Sequence, residues 1–134
     1  RAAHEALEAG DGGVIVNTAS VAGITGAGSS IPYCASKAGL INLTLGLARM
    51  LGPKIRVNAV APGFIEGEWL QTGLGSSYES VRDKKASEGL LDTVSTPEDI
   101  ADGILSMITC AKVTGQILTV DTGHTIGPRI SSGI

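Results

Sequence analysis

Three side chains in the first third of the chain could together transfer a proton. Tyr33 and Lys37 stand four residues apart, and Ser20 lies thirteen residues before Tyr33. Positions i and i+4 of a helix share a face, so the Lys37 ammonium can favour the ionised form of the Tyr33 phenol. Such a phenol is suited to general acid or base catalysis. The same spacing also occurs in helices where the tyrosine only packs, so the surrounding sequence is needed to distinguish a catalytic tyrosine from a packing one.

The surrounding sequence predicts how these residues are positioned. An apolar run at residues 14–16 ends at residues 17–20, and a glycine-rich connection over residues 23–30 leads to the helix of Tyr33. A serine at the carboxyl end of a strand and a tyrosine at the start of the next helix face one crevice. Open α/β sheets bind their ligands in that crevice. The context therefore favours a catalytic role for Ser20, Tyr33 and Lys37.

The rest of the chain alternates strands and helices without a domain break. We expect three strands and two long helices, at about residues 14–18, 55–60 and 116–120 and about residues 33–51 and 97–108. Residues 1–9 are typical of the last turns of a helix. This alternation predicts an α/β fold with about three parallel strands and flanking helices, formed by residues 1–134 as a single piece.

Four segments of the chain resemble the classical branch of the short-chain dehydrogenase/reductase family. They are residues 14–23, 33–40, 55–65 and 113–118. The resemblance implies a Rossmann-like fold of which this chain is the C-terminal half. It also implies hydride transfer between NAD or NADP and a carbonyl or alcohol substrate, with Tyr33 as general acid/base. The chain is similar to 3-oxoacyl-acyl-carrier-protein reductases and, as strongly, to broad alcohol or ketone dehydrogenases.

The resemblance also assigns cofactor contacts. It implies that Tyr33 and Lys37 contact the cofactor and that Pro62, Gly63 and Ile65 border the nicotinamide. Gly67 stands where the family often has a threonine, which puts one polar contact in doubt.

A pyrophosphate-binding turn of the dinucleotide type is missing from the sequence. Such a turn follows the first strand of the fold and places backbone N–H groups against the phosphates. The glycines at residues 23–28 follow the strand that bears Ser20 instead, and they are better explained as a substrate-side loop. We therefore expect the 134-residue chain by itself to be inactive.

Two regions have alternative interpretations. Residues 64–95 are rich in charge and glycine, and they form either a solvated loop with a surface helix or a mobile substrate lid with Trp69 as an apolar wall. The helix at about residues 33–51 is apolar nearly all round, so it is buried within one subunit or packs on a second one. The resemblance favours a homodimer or homotetramer formed through this helix.

Composition narrows the classes of partner and location. Hydrophobic residues make up 43% of the chain and the net charge is −3, so no basic face for nucleic acid is indicated. Apolar runs stay below the roughly 18 residues that span a bilayer, so no membrane partner is predicted. Two cysteines and two histidines indicate neither a disulfide framework nor a metal site, and a cytoplasmic location is the default.

Two other functions remain open from the sequence. An epimerase or dehydratase of the family's extended branch would share the tyrosine and lysine, but the Pro62-Gly63 turn argues against it. An inactive family member that acts as a scaffold or oligomer partner is the second alternative. The joint presence of Ser20, Tyr33 and Lys37 opposes that interpretation.

Overall fold

The structure is a computed structural model, and it describes residues 3–10 and 12–130 of the chain. Its strands are β1 (Gly13–Thr18), β2 (Ile55–Pro62) and β3 (Ile117–Val120). Its α-helices are α1 (His4–Glu8), α2 (Ala22–Thr25), α3 (Ile31–Leu51), α4 (Glu68–Leu74), α5 (Tyr78–Glu88) and α6 (Pro97–Thr109). Residues 1–2 of the predicted first helix lie outside the described residues. The alternation of elements confirms the predicted α/β fold.

The sheet has the order β1-β2-β3, and both pairs of strands are parallel. Strand β2 lies in the centre, and all its residues except Arg56 are buried. Its alternate side chains point to opposite faces. Ala59 and Ala61 pack with Ile41 of α3, whereas Val60 faces Gly103 of α6. Helices α3 and α6 therefore cover opposite faces, and this burial on both sides accounts for the apolar residues 59–62 of the strand.

Strand β2 runs two residues further than the sequence predicts. The backbone N–H groups of Ala19 and Val21 donate to the carbonyls of Val60 and Pro62 at 2.7 and 3.0 Å. Pro62 needs no N–H to accept such a bond, so the chain after β1 continues to pair with β2. This extra pairing carries the sheet as far as Ser20.

Helix α3 starts two residues earlier than expected because it has a capping residue. Ser30 is in an extended conformation and its side chain accepts the N–H of Tyr33 at 3.3 Å, with Pro32 in the first turn. Tyr33 is thereby placed in the first turn of the helix.

None of the helices in the described part of the chain combines the length and hydrophobicity needed to cross a bilayer. Within residues 3–10 and 12–130, no group of three or more His, Cys, Asp or Glu side chains is arranged to hold a metal ion.

Candidate active site

Ser20 lies at the carboxyl end of β1 and is buried, with 8% of its surface exposed. The two bonds from Ala19 and Val21 to β2 fix its backbone on both sides. Its Oγ accepts the N–H of Ala22 at 3.1 Å, at the start of α2. Because that bond uses an oxygen lone pair, the hydroxyl proton remains to be donated to another acceptor.

Tyr33 is held against the glycine-rich connection. Its side chain is 37% exposed. A Cβ built on Gly28 would lie 2.9 Å from Cys34 Sγ and 3.4 Å from Cδ1 of Tyr33. Cys34 Sγ also contacts the carbonyl oxygen of Gly26 at 3.4 Å. A side chain at position 28 would thus displace the first turn of α3, which accounts for a glycine there.

Lys37 joins the helix to the end of the first strand. Its Nζ donates to the carbonyl oxygen of Thr18 at 2.9 Å and lies 5.7 Å from the centroid of the Tyr33 ring. An ammonium has three donors, so two remain for other acceptors. The structure therefore brings Lys37 to Tyr33 and to the residues just before Ser20.

The close approach of α2 to α3 depends on Gly23. A Cβ on Gly23 would lie 2.6 Å from the carbonyl carbon of Lys37 and 2.7 Å from the N of Ala38. The glycines at positions 23 and 28 therefore face protein atoms and set the position of the tyrosine and lysine. Sequence reasoning assigned this segment to the substrate side and missed its packing role, which only contacts across the fold reveal.

Pro62 ends β2, and Gly63 and Ile65 follow it at the same edge of the sheet as Ser20. The N–H of Gly63 donates to the carbonyl of Val120 at 2.9 Å, and a Cβ on Gly63 would lie 2.6 Å from Cβ of Asp121. Ile65 forms a parallel bridge with Ser95. The carboxyl ends of all three strands thus meet at one edge, where a parallel sheet offers a ligand crevice.

Residues 64–95 contain two α-helices, α4 and α5, and an ion pair joins α5 to the segment just before α4. Nε of Arg82 lies 2.8 Å from Oε2 of Glu66, and this hydrogen bond raises the pKa of Arg82. Lys85 similarly bonds Glu88 at 2.8 Å. Both cations remain partly exposed in these pairs. Trp69 on α4 is 82% exposed.

The chain matches a family model described as enoyl-(acyl carrier protein) reductase over residues 1–125. The short-chain dehydrogenase/reductase homolog YusR of Bacillus subtilis (strain 168) is 43% identical over 114 residues, covering 85% of this chain and 84% of that protein. The 3-oxoacyl-[acyl-carrier-protein] reductase FabG of Thermotoga maritima is 41% identical over 117 residues. That alignment covers 85% of this chain and 46% of FabG, so the chain spans about half the length of that relative.

The fold also matches solved structures. The structure of ElxO with NADP bound superposes with a TM-score of 0.81 at 34% identity, and the match covers 92% of this chain and 51% of ElxO.

Proposed function

Because the chain belongs to the short-chain dehydrogenase/reductase family, we propose that the full-length protein transfers a hydride between NAD or NADP and a carbonyl or alcohol substrate. The family membership confirms the resemblance that the sequence predicted. One observation carries the proposal: Lys37 is bonded to Thr18 at the carboxyl end of β1, with its charge 5.7 Å from the ring of Tyr33.

The two hydroxyl groups have complementary roles in this proposal. In the reductive direction the carbonyl oxygen of the substrate lies between the Ser20 hydroxyl and the Tyr33 phenol. Ser20 donates a hydrogen bond to this oxygen, where negative charge grows, and keeps its proton. Tyr33 then protonates the alkoxide as general acid. In alcohol oxidation the same groups act in reverse.

The Lys37 ammonium, 5.7 Å from the centroid of the Tyr33 ring, stabilises the negative charge that develops as the phenol gives up its proton. Its two remaining donors fit the hydroxyl groups of the nicotinamide ribose.

The cofactor would be held from the sheet edge. Pro62, Gly63 and Ile65 would border the nicotinamide, because a proline without N–H and a glycine without side chain leave the backbone accessible to a flat ring. When bound, the nicotinamide supplies or takes up the hydride. Residues 64–95 would act as the substrate lid, with the exposed Trp69 as its apolar wall.

The assembly we propose is a homodimer or homotetramer formed through α3, in the cytoplasm. Leu43 and Met50 of this helix are 52% and 69% exposed, on a face that the described residues of this chain leave uncovered. A second copy of the chain would cover that face.

The function is tested by replacing one tyrosine at a time in the full-length protein. Tyr33→Phe keeps the ring but removes the proton, so we expect kcat for reduced nicotinamide consumption to fall at least about 100-fold. A 3-oxoacyl thioester and simple ketones are the substrates to try.

Tyr78→Phe is the matched control, because Tyr78 is the other tyrosine of the chain and lies buried in α5. It should keep its activity. Turnover that survives in Tyr33→Phe would reject the mechanism. A wild-type protein with neither turnover nor dinucleotide binding would favour the inactive scaffold.

A further inference from the structure

The segment that follows β3 contacts the far end of the proposed lid. We propose that residues 121–129, here called the C-terminal strap, anchor the turn at residues 89–92 and so limit the movement of α5. The lid role of residues 64–95 rests on the proposed function, whereas the anchoring rests on contacts alone.

The strap and the turn interlock through their backbones. The N–H of Leu90 donates to the carbonyl of Thr122 at 2.8 Å. A Cβ on Gly89 would collide with Oγ1 of Thr122, and a Cβ on Gly123 would lie 2.8 Å from Cδ1 of Leu90. The strap can therefore approach the turn closely only because position 89 is a glycine, and the turn can approach the strap only because position 123 is one.

Thr122, the strap residue at the centre of this contact, has a strained backbone. Its φ of +57° lies in the left-handed region, which β-branched residues rarely adopt. Asp121, buried at 8% exposure, precedes Thr122 and holds the residues after it by accepting the N–H groups of Gly123 and Thr125 at 3.0 and 2.8 Å. A strained backbone conformation persists only where surrounding contacts hold the residue in place. Here the strained residue is Thr122, whose carbonyl accepts the N–H of Leu90 in the turn.

Arg129 completes the anchor from the other end of the strap. Its Nη2 and Nε donate to the carbonyl of Leu90 at 2.7 and 3.2 Å, and its guanidinium forms an ion pair with Asp92. Both backbone polar groups of Leu90 are therefore bonded to the strap. Arg129 acts as a positioning residue, because it works through the turn.

A double-mutant cycle in the full-length protein tests the contact, with hydrogen–deuterium exchange as the readout. Gly89→Ala should make the amides of residues 79–92 exchange about five- to tenfold faster, because the new methyl group pushes the turn off Thr122. Thr122→Gly removes the colliding side chain. Adding Gly89→Ala to Thr122→Gly should then change exchange less than about twofold. An equal effect of Gly89→Ala in both backgrounds would overturn the proposal.

The arginine is tested with a conservative variant and a matched control. Arg129→Ala should accelerate exchange of the same amides, Arg129→Lys should restore part of the protection, and Lys112→Ala on an exposed loop should change nothing. Amides of β2 should keep their rates in every variant, since the effect is local. Equal acceleration in β2 would show a general loss of stability and contradict the anchor. Exchange is measured without substrate, so failure of the redox mechanism leaves this result intact.

Discussion

The hydrogen bond from the N–H of Ala22 leaves the Ser20 hydroxyl suited to act as a hydrogen-bond donor. Because Oγ accepts the N–H of Ala22 at 3.1 Å, its proton is available for a different acceptor, and the buried position limits competition from water. Its distance from Tyr33 along the chain indicated a shared site. The direction of its hydrogen bonding could not be predicted, because it depends on how the chain turns into α2.

We predict that Ser20→Ala lowers kcat of the full-length enzyme about 10²- to 10³-fold, with a smaller change in KM, because the lost donor acts on charge that grows during the reaction. Ser106→Ala on α6 is the control, since its hydroxyl bonds a carbonyl of its own helix. Steady-state kinetics measure both variants. A loss confined to KM would contradict the proposed role.

At the scale of elements, the start of α6 is the feature that follows most directly from the sequence. Thr96 caps α6, and the structure contains a full capping box in which Thr96 and Asp99 bond each other's backbone N–H groups. The Asp99 carboxylate accepts hydrogen bonds from the Thr96 N–H and from the Thr96 hydroxyl. Both bonds lower the pKa of Asp99, and the bond from the N–H has the larger effect. Residues 96–99 read Thr-Pro-Glu-Asp, and a cap of this kind can be predicted from sequence because its chemistry is local.

Thr96→Ala should lower the free energy of unfolding by about 1 kcal/mol at pH 7. Thr109→Ala in the last turn of the same helix is the control, and it should be nearly neutral because its hydroxyl bonds only carbonyls within the helix. Urea unfolding measures both variants. Equal losses would contradict the importance of the cap.

Asp99→Asn should show a pH dependence that Thr109→Ala lacks. Because the folded-state pKa of Asp99 is lowered, its contribution is present above the unfolded-state pKa of about 3.9 and is lost as the pH falls through the lower folded-state pKa. The wild type should therefore exceed Asp99→Asn in stability at pH 7, and the difference should shrink in acid. Urea unfolding of both proteins at pH 7 and in acid measures this difference. A difference in stability that is the same at both pH values would contradict the role of Asp99.

At the scale of the whole molecule, the uncovered face of α3 carries two glycines beside the exposed Leu43 and Met50. A Cβ built on Gly39 or Gly46 meets no atom within 4 Å. A glycine in a helix interior costs about 1 kcal/mol relative to alanine, and contacts within this chain do not offset that cost. Close packing of a second helix would account for it.

We predict that Leu43→Arg converts the proposed full-length oligomer towards monomer, with the subunit dissociation constant raised at least about 100-fold, because the charge would be buried without a partner. Leu91→Arg is the control, since Leu91 is even more exposed at 70% and lies away from α3. Sedimentation at several concentrations measures the change. An unaltered assembly in Leu43→Arg would exclude this face as the interface.

The 134-residue chain is expected to bind NADPH at least about 100-fold more weakly than the full-length protein. The glycines at positions 23 and 28, which come closest to a phosphate-binding pattern, are packed against Lys37, Ala38 and Tyr33 and are closed to a pyrophosphate. Titration calorimetry of both proteins measures the ratio. Comparable affinities would show that the chain holds a complete dinucleotide site.

The sequence alone determined the residue types of the proposed site and the order of strands and helices, because apolar periodicity, helix caps and the four-residue spacing of Tyr33 and Lys37 are local properties. Only the tertiary structure decided what each group bonds. Arg56 donates to four carbonyls at the end of α6 and beyond it, 51 to 57 positions away, and Lys37 reaches back 19 positions to Thr18. These hydrogen-bond partners depend on how the helices pack on the sheet. Residue spacing along the chain does not determine that packing, so the partners could not be predicted from it.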